Sequence, residues 1–168
     1  MSAIRIGIVV VSDKAASGLR EDGCVEALTK VLPPTNASFA ARVIVPDEIG
    51  AIQEAVKAMV DGERLDVVLT SGGTGIGPRD VTPEAVDPLI EKSLPGIAEM
   101  MRHRGFEATP HAILSRSVAG TRGRSLIISL PGSPRGAAEC LSWVWPVIPH
   151  ALEVLRGEAV ECGGSRKL

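Results

Sequence analysis

The stretch Val67-Val68-Leu69-Thr70-Ser71-Gly72-Gly73-Thr74-Gly75-Ile76-Gly77-Pro78-Arg79-Asp80 constrains the rest of the chain more than any other. Its apolar, β-branched start is long enough for one buried strand, and the glycines at its end, Gly75 among them, let the backbone take φ > 0 and bring N–H groups close to a ligand. An oxyanion or phosphate is the natural guest of such a loop, the plain alternative being a strand-to-loop turn with surplus glycine. Two familiar phosphate cradles do not fit. The dinucleotide fingerprint runs from G-x-G-x-x-G straight into a helix, whereas Gly73, Gly75 and Gly77 are spaced by two and Pro78 follows. The P-loop needs Lys-Ser/Thr after its last glycine, where Pro78-Arg79 stands.

Asp80 narrows the choice of guest. A carboxylate about 5 Å from a phosphate is repelled by roughly 3 kcal/mol per phosphate charge at an effective dielectric near ~20. A divalent cation between them reverses that sign. Mg²⁺ binds through one or two carboxylates plus substrate phosphates, so the glycine loop with Asp80 points to a metal-bridged nucleotide phosphate. A turn role ahead of Thr82-Pro83-Glu84 is compatible with that and is expected in addition.

Composition bounds the alternatives. With 168 residues, 45 % of them apolar, and no linker or repeat, residues 1–168 are expected to form one domain with a sizeable core. A net charge of −2 argues against a general nucleic-acid or membrane surface. Aromatic residues are too few (Phe39, Phe106, Trp143, Trp145) for a single-strand stacking platform. Cys24, Cys140 and Cys162 are odd in number, far apart and without histidines at ligand spacing, which argues against zinc. The start of the chain carries neither a membrane span nor a signal-peptide pattern, and a cytoplasmic protein with reduced thiols is expected.

Along the chain, Ile4 to Val11 is nearly continuous in apolar residues and reads as a strand buried on both faces of a parallel sheet, with Ser12 to Gly18 as a polar loop at its end. Cys24, Val25, Leu28, Val31 and Leu32 fall at helical spacing up to Pro33-Pro34. Phe39 to Val45 is a second strand. Asp47 stands where an N-cap belongs, before a helix with the stripe Ile49, Ile52, Val56, Met59 and Val60, and it also lies near the glycine loop's end of the sheet. The spacing predicts a third strand from Asp66 to Ser71, then a helix capped by Thr82 with Pro83 in its first turn and an end near Leu94-Pro95-Gly96. A helix over Ile97 to Arg104 follows, in which Met100 and Met101 read as core or subunit-contact residues. His103 and His111 read as surface or capping groups. Ile113 to Ala119 and Ser125 to Leu130 read as strands around Gly120-Thr121-Arg122-Gly123-Arg124, whose arginines are either solvated or turned to a phosphate. Leu130-Pro131-Gly132-Ser133-Pro134 is a second strand-to-helix elbow, with Ser133 able to cap and the helix N-terminus able to face an anion. Pro146 and Pro149 force a new helix start, and the tail 157–168 is expected to be loosely held. The alternation gives an α/β domain of three layers, α/β/α, with a mostly parallel sheet.

Several ordered blocks resemble one family. Ser12-Asp13 with Ser17-Gly18, Val45-Pro46-Asp47-Glu48, Gly72-Gly73-Thr74-Gly75, Arg79-Asp80-Val81-Thr82-Pro83-Glu84-Ala85, Leu114-Ser115-Arg116, Ala119-Gly120, Leu130-Pro131-Gly132-Ser133-Pro134 and Glu139-Cys140 are similar to blocks of the molybdopterin adenylyltransferases of molybdenum-cofactor biosynthesis, which include the G domain of gephyrin. The resemblance implies transfer of AMP from ATP to the terminal phosphate of molybdopterin, with Mg²⁺ as cofactor. It implies catalytic and metal-binding roles for Asp47 and Asp80, and nucleotide binding by Ser71, Gly72, Gly73, Thr74 and Gly75. It places Ser12, Asp13, Ser115, Pro131, Gly132 and Ser133 against the pterin substrate. It further implies a homotrimer and the molybdate-inserting enzyme as a partner. A rival is a non-catalytic pterin-binding scaffold, against which the retained Arg79-Asp80 pair argues. The molybdate-inserting enzyme itself is a second rival, whose related domain belongs to a longer multidomain chain.

Overall fold

Residue alternation along the strands sorts the core onto two sides of one sheet. The computed structural model describes residues 3–33 and 36–158; Pro34, Cys162 and the tail from 159 onward lie outside them. In chain order the elements are β1 (Ile4–Val11), α1 (Asp13–Ala16), α2 (Cys24–Thr29), β2 (Ala37–Val45), α3 (Ile49–Lys57), β3 (Val67–Ser71), α4 (Thr82–Val86), β4 (Lys92–Ser93), α5 (Pro95–Ala108), β5 (Ala119–Arg122), β6 (Ser125–Leu130), α6 (Pro134–Val144) and α7 (Ile148–Arg156). The sheet order is β2-β1-β3-β6-β5-β4; the first four strands are parallel, and β5 and β4 run antiparallel at one edge.

In β1, Ile4, Ile6, Ile8 and Val10 point to one side, where α2, α5, α6 and α7 deliver Leu28, Met101, Leu141 and Leu152. Val9 and Val11 point to the other, where α3 and α4 deliver Ile52, Val56 and Val86. Period-two alternation with both sets buried makes a central strand read as continuously apolar. The three-layer α/β/α architecture expected from the sequence is the one observed. Helix α2 packs on one face and α3 on the other while β2 and β3 flank β1, so the strand order reverses at the β1–β3 boundary. In open parallel sheets the crevice beyond the carboxyl ends at such a point is where ligands bind.

Several local expectations change. The loop after β1 contains the one-turn α1, capped by the Ser12 hydroxyl accepting from Ala15 N at 3.2 Å. Asp47 is not the cap of α3. Glu48 holds that position without a side-chain bond, because the Asp47 carboxylate is turned away toward the β1 loop. Thr82 is the first residue of α4 and not its cap; its hydroxyl donates instead to Gly72 O at 2.7 Å. The helix expected to reach Leu94 stops at Val86, since Pro88 removes a helical donor and disfavours the α conformation of the residue before it. A 3₁₀ turn and the short edge strand β4 follow. Helix α5 starts at Pro95 and runs to Ala108, longer at both ends than expected.

The strand expected over Ile113 to Ala119 is displaced. Pro110–Leu114 is a 3₁₀ turn, and β5 is Ala119–Arg122, paired with β6 through a two-residue turn that has Gly123 at φ 55°. The backbone of Gly120 lies so close to β4 that a β-carbon there would meet Lys92 O at 2.6 Å. The partly exposed guanidinium of Arg122 pairs with Asp61 at 2.9 Å, and Arg124 is exposed. Met101 is buried and Met100 is exposed, while His103 and His111 are both on the surface. No helix among the described residues is long and apolar enough to cross a membrane.

Gly7 shows how closely β1 is packed: a β-carbon there would stand 2.6 Å from both Leu65 Cδ1 and Met59 Sδ. Gly7→Ala should lower stability by about 1–3 kcal/mol, the range for overpacking a filled core, measured by denaturant unfolding.

Candidate active site

Four parallel strands end at one edge. After β1 come Ser12 and Asp13, after β2 Asp47, after β3 Gly72 and Gly73, and after β6 Pro131, Gly132 and Ser133. Three backbones touch there. Gly72 has φ 112°, and a β-carbon on it would stand 2.1 Å from Val11 O; one on Gly132 would stand 3.1 Å from Gly72 Cα. Gly73, at φ 62°, faces Thr82 Oγ1 at 2.5 Å and Asp47 Oδ1 at 3.2 Å from its own β-carbon position. The contact is locked by Gly72 N donating to Leu130 O at 3.2 Å, Ser71 Oγ to Pro131 O at 3.0 Å and Thr82 N to Gly73 O at 3.0 Å. Left-handed conformations therefore fall on Gly72 and Gly73 and not on Gly75. Gly75 and Gly77 need hydrogen side chains for another reason: the Asp80 carboxylate lies 2.8 and 2.9 Å from their β-carbon positions.

The carboxylates are arranged in sequence. Asp13 N donates to Asp47 Oδ2 at 2.8 Å, and Asp47 N donates back to Asp13 Oδ1 at 3.0 Å. Arg79 closes the set with two bonds of 3.0 Å onto both Asp13 oxygens. This fork holds Asp13 below the usual carboxylate range. Asp47 moves the other way, pushed up first by burial and then by the charges of Asp13 and Asp80. Asp80 Oδ2 accepts from Gly77 N at 2.8 Å, so the residue both shapes its turn and presents a carboxylate beside the glycines.

Two clefts meet at this edge. The wider, about 540 Å³, has an apolar wall with Met101, Cys140 and Trp143, and polar groups from Arg102, Ser115 and Ser117. The narrower, about 360 Å³, is lined by Ser12, Asp47, Ser71, Gly72 and the loop Arg20 to Cys24. Gly73, Asp80, Gly132 and Ser133 border both. Of the residues singled out in the sequence, Thr74, Gly75, Ser115 and Pro131 fall in the wide cleft; Ser12, Asp47, Ser71 and Gly72 fall in the narrow one. Asp13 lines neither, its carboxylate being engaged by Arg79 and Asp47 N. The Ser133 hydroxyl caps α6, accepting from Gly136 N at 3.2 Å. Sequence reasoning gave no individual part to Cys24, whose thiol donates to Gly132 O at 3.6 Å, or to Arg102, which donates to the carbonyls of Ser115 and Ser117 at 3.3 Å. A cysteine and an arginine on helices gave no local signal; only their neighbours across the fold reveal them. Among the described residues, no three or more metal-ligating side chains come together; Asp47 and Asp80 are two carboxylates that line the narrow cleft.

A family model described as a probable molybdopterin binding domain matches residues 7–150. The chain belongs to this family. A molybdopterin adenylyltransferase of Helicobacter pylori (strain ATCC 700392 / 26695) is 40% identical over 163 residues, covering 96% of this chain and 93% of its own length. The molybdopterin adenylyltransferase of Escherichia coli K12 is 35% identical over 175 residues, covering 96% of this chain and 90% of its own. Among solved structures, the molybdopterin biosynthesis enzyme MoaB of Thermus thermophilus superposes with a TM-score of 0.87 at 48% identity, over 94% of this chain and 99% of that one.

Because the folded protein binds the Asp47 proton more tightly than the unfolded chain, Asp47 adds stability at acid pH that is lost as pH rises through its raised folded value. Asp13 has the opposite sign, stabilising above its unfolded value and losing that contribution as pH falls through its lowered folded value. At pH 7, Asp13→Asn should therefore melt below the parent. Asp47→Asn, whose amide oxygen still accepts from Asp13 N, should melt at or above it. Thermal unfolding of the two variants checks the contrast.

Proposed function

We propose that the chain transfers AMP from ATP to the terminal phosphate of molybdopterin, the activity named for its adenylyltransferase relatives. The observation that carries this reading is the meeting of two clefts at one glycine-built edge, with Asp47 and Asp80 beside it. A two-substrate transfer needs two chambers that open on one reacting atom, and effective molarity is the main benefit of holding both. A binding-only scaffold has no need of two carboxylates beside one phosphate cradle.

The wide cleft, with its apolar wall and the Ser115 and Ser117 hydroxyls, suits the pterin. The backbone from Ser71 to Gly75 suits the nucleotide, with Pro131, Gly132 and Ser133 on the shared border and Ser12 at the far end of the narrow cleft. A pterin phosphate oxygen forms a bond to the α-phosphorus of ATP, and the bond to the bridging oxygen of the β-phosphate breaks, releasing pyrophosphate. Such transfer depends on positioning and on charge stabilisation more than on covalent help from the protein. Asp47 and Asp80 would hold Mg²⁺, which when bound neutralises phosphate charge. Burial first, and then the charges of Asp13 and Asp80, work against the Asp47 anion, and a cation beside it would offset both. Asp13 acts at one remove, fixing Asp47 through the paired bonds.

Residues 1–168 act in this reading as one cytoplasmic unit, assembled as a homotrimer and handing its product to the molybdate-inserting enzyme. The apolar groove between α5 and α6, with Met100 43% and Val147 54% exposed, supports a subunit contact. Light scattering at micromolar concentration should give three times the chain mass.

The protein with molybdopterin, ATP and Mg²⁺ should release pyrophosphate and form adenylylated pterin together, each dependent on both substrates. Asp80→Asn keeps the turn but removes the charge, and should slow turnover by about a hundredfold, equivalent to ~2.7 kcal/mol of transition-state stabilisation. ATP consumption that does not need pterin, or an Asp80→Asn variant at the parent rate under saturating Mg²⁺, overturns the reading.

A further inference from the structure

The loop Gly75 to Asp80 carries the carboxylate and yet has little to hold it. It has no regular secondary structure, and Ile76 in its middle is 69% exposed. Within it, Gly77 and Asp80 are joined by the backbone pair at 3.0 Å and the carboxylate contact at 2.8 Å, and Arg79 reaches out to Asp13 with two bonds of 3.0 Å. The first two shape a turn, and the third is a half-exposed ion pair to the segment after β1 that leaves the loop backbone itself unheld.

One side chain from outside grips that backbone. Arg116 Nε donates to Gly75 O at 2.7 Å and Nη2 to Asp80 O at 2.7 Å, so a single guanidinium grips both ends of the loop. Its Nη1 pairs with the Glu84 carboxylate in the first turn of α4. Arg116 N donates to Thr74 O at 2.8 Å, anchoring the clamp's own backbone to the residue just before the loop. Arg116 is not among the residues that line either cleft. Its five donors in one plane suit three acceptors spread over two elements, which one ammonium cannot span.

We infer that Arg116 is the positioning residue for Asp80: it clamps the Gly75–Asp80 loop so that the carboxylate is held ready for the cation-bridged nucleotide. The inference rests on the adenylyltransferase reading for its functional consequence, but the clamp itself is testable without it. A loose loop leaves Asp80 present and wrongly placed, and positioning of that kind is lost without any change in the reacting groups. The pterin side is left alone, since Ser115 is held by Arg102 and by Ser117.

The test uses Arg116→Lys, which keeps the charge and the stem, beside Glu84→Gln, which leaves both carbonyl bonds in place. In Arg116→Lys, amide hydrogen exchange over residues 75–80 should speed up by about tenfold or more with the β-strand amides unchanged, and in Glu84→Gln by about threefold or less. Half-saturation by Mg²⁺ and ATP should rise by about tenfold in Arg116→Lys, excess Mg²⁺ restoring part of the rate, while molybdopterin binding followed by tryptophan fluorescence changes by less than about twofold. Parent-like exchange in the loop of folded Arg116→Lys overturns the clamp. Faster loop exchange with parent-like Mg²⁺ and ATP dependence overturns the positioning role, as does an equal loss of molybdopterin binding. If the parent protein itself shows no pterin-dependent use of ATP, the adenylyltransferase reading fails, and the exchange result still decides the clamp.

Discussion

The close approach of the β1, β3 and β6 ends, with Gly72 between Val11 O and Gly132, is the contact on which the site depends. Parallel strands sit side by side along their length, but their exits normally diverge into separate helices. Here the Gly72 backbone rests directly on the carbonyl that ends β1, and no other residue type can do so at φ 112°. Two consequences follow. The chain can present the glycine backbone to a ligand from both sides, and the two clefts share a border of main chain rather than a wall of side chains. Thr82 and Ser71 then fix this edge with hydroxyl bonds to Gly72 O and Pro131 O, so that the loop is rigid where it touches the sheet.

Electrostatics sets a second condition. Asp13 is stabilised as an anion by Arg79, while Asp47 is held close to Asp13 and Asp80 with burial working against its charge. In the proposed function this arrangement receives positive charge, with Asp13 and Arg79 orienting and Asp47 and Asp80 acting. A site of this kind gives up some stability near neutral pH for function, the usual relation between folding and a preorganised charge cluster. The Arg116 clamp belongs to the same division of labour, since it grips backbone on both sides of the loop and leaves the Asp80 carboxylate open to the clefts.

Much of this was legible in the residues. The continuous apolar run Ile4–Val11 indicated a central parallel strand, Ser125–Leu130 was legible as a strand, and the two glycine elbows indicated the working edge. What was not legible was the partner of each polar group. Asp47 and Thr82 have cap-like positions in the sequence, and both turn away because a tertiary acceptor or donor outcompetes the local one. Nothing local to Asp13 foretold that Arg79, distant in sequence, pairs with its carboxylate. The antiparallel edge was hidden by the shortness of β4 and by a β5 that starts only at Ala119. Gly75 illustrates the limit most clearly: a glycine can signal a left-handed turn or merely room for a neighbour, and here the neighbour is Asp80.

The central claim is that the glycine edge brings a pterin phosphate to the α-phosphorus of ATP. Label tracing separates this from other phosphate chemistry at the same loop. With ATP labelled at the α-phosphorus, the label should appear in the pterin product, and with ATP labelled at the γ-phosphorus it should appear only in pyrophosphate. Label from the γ-phosphorus in the pterin, or α-label released without pterin attached, would contradict the account.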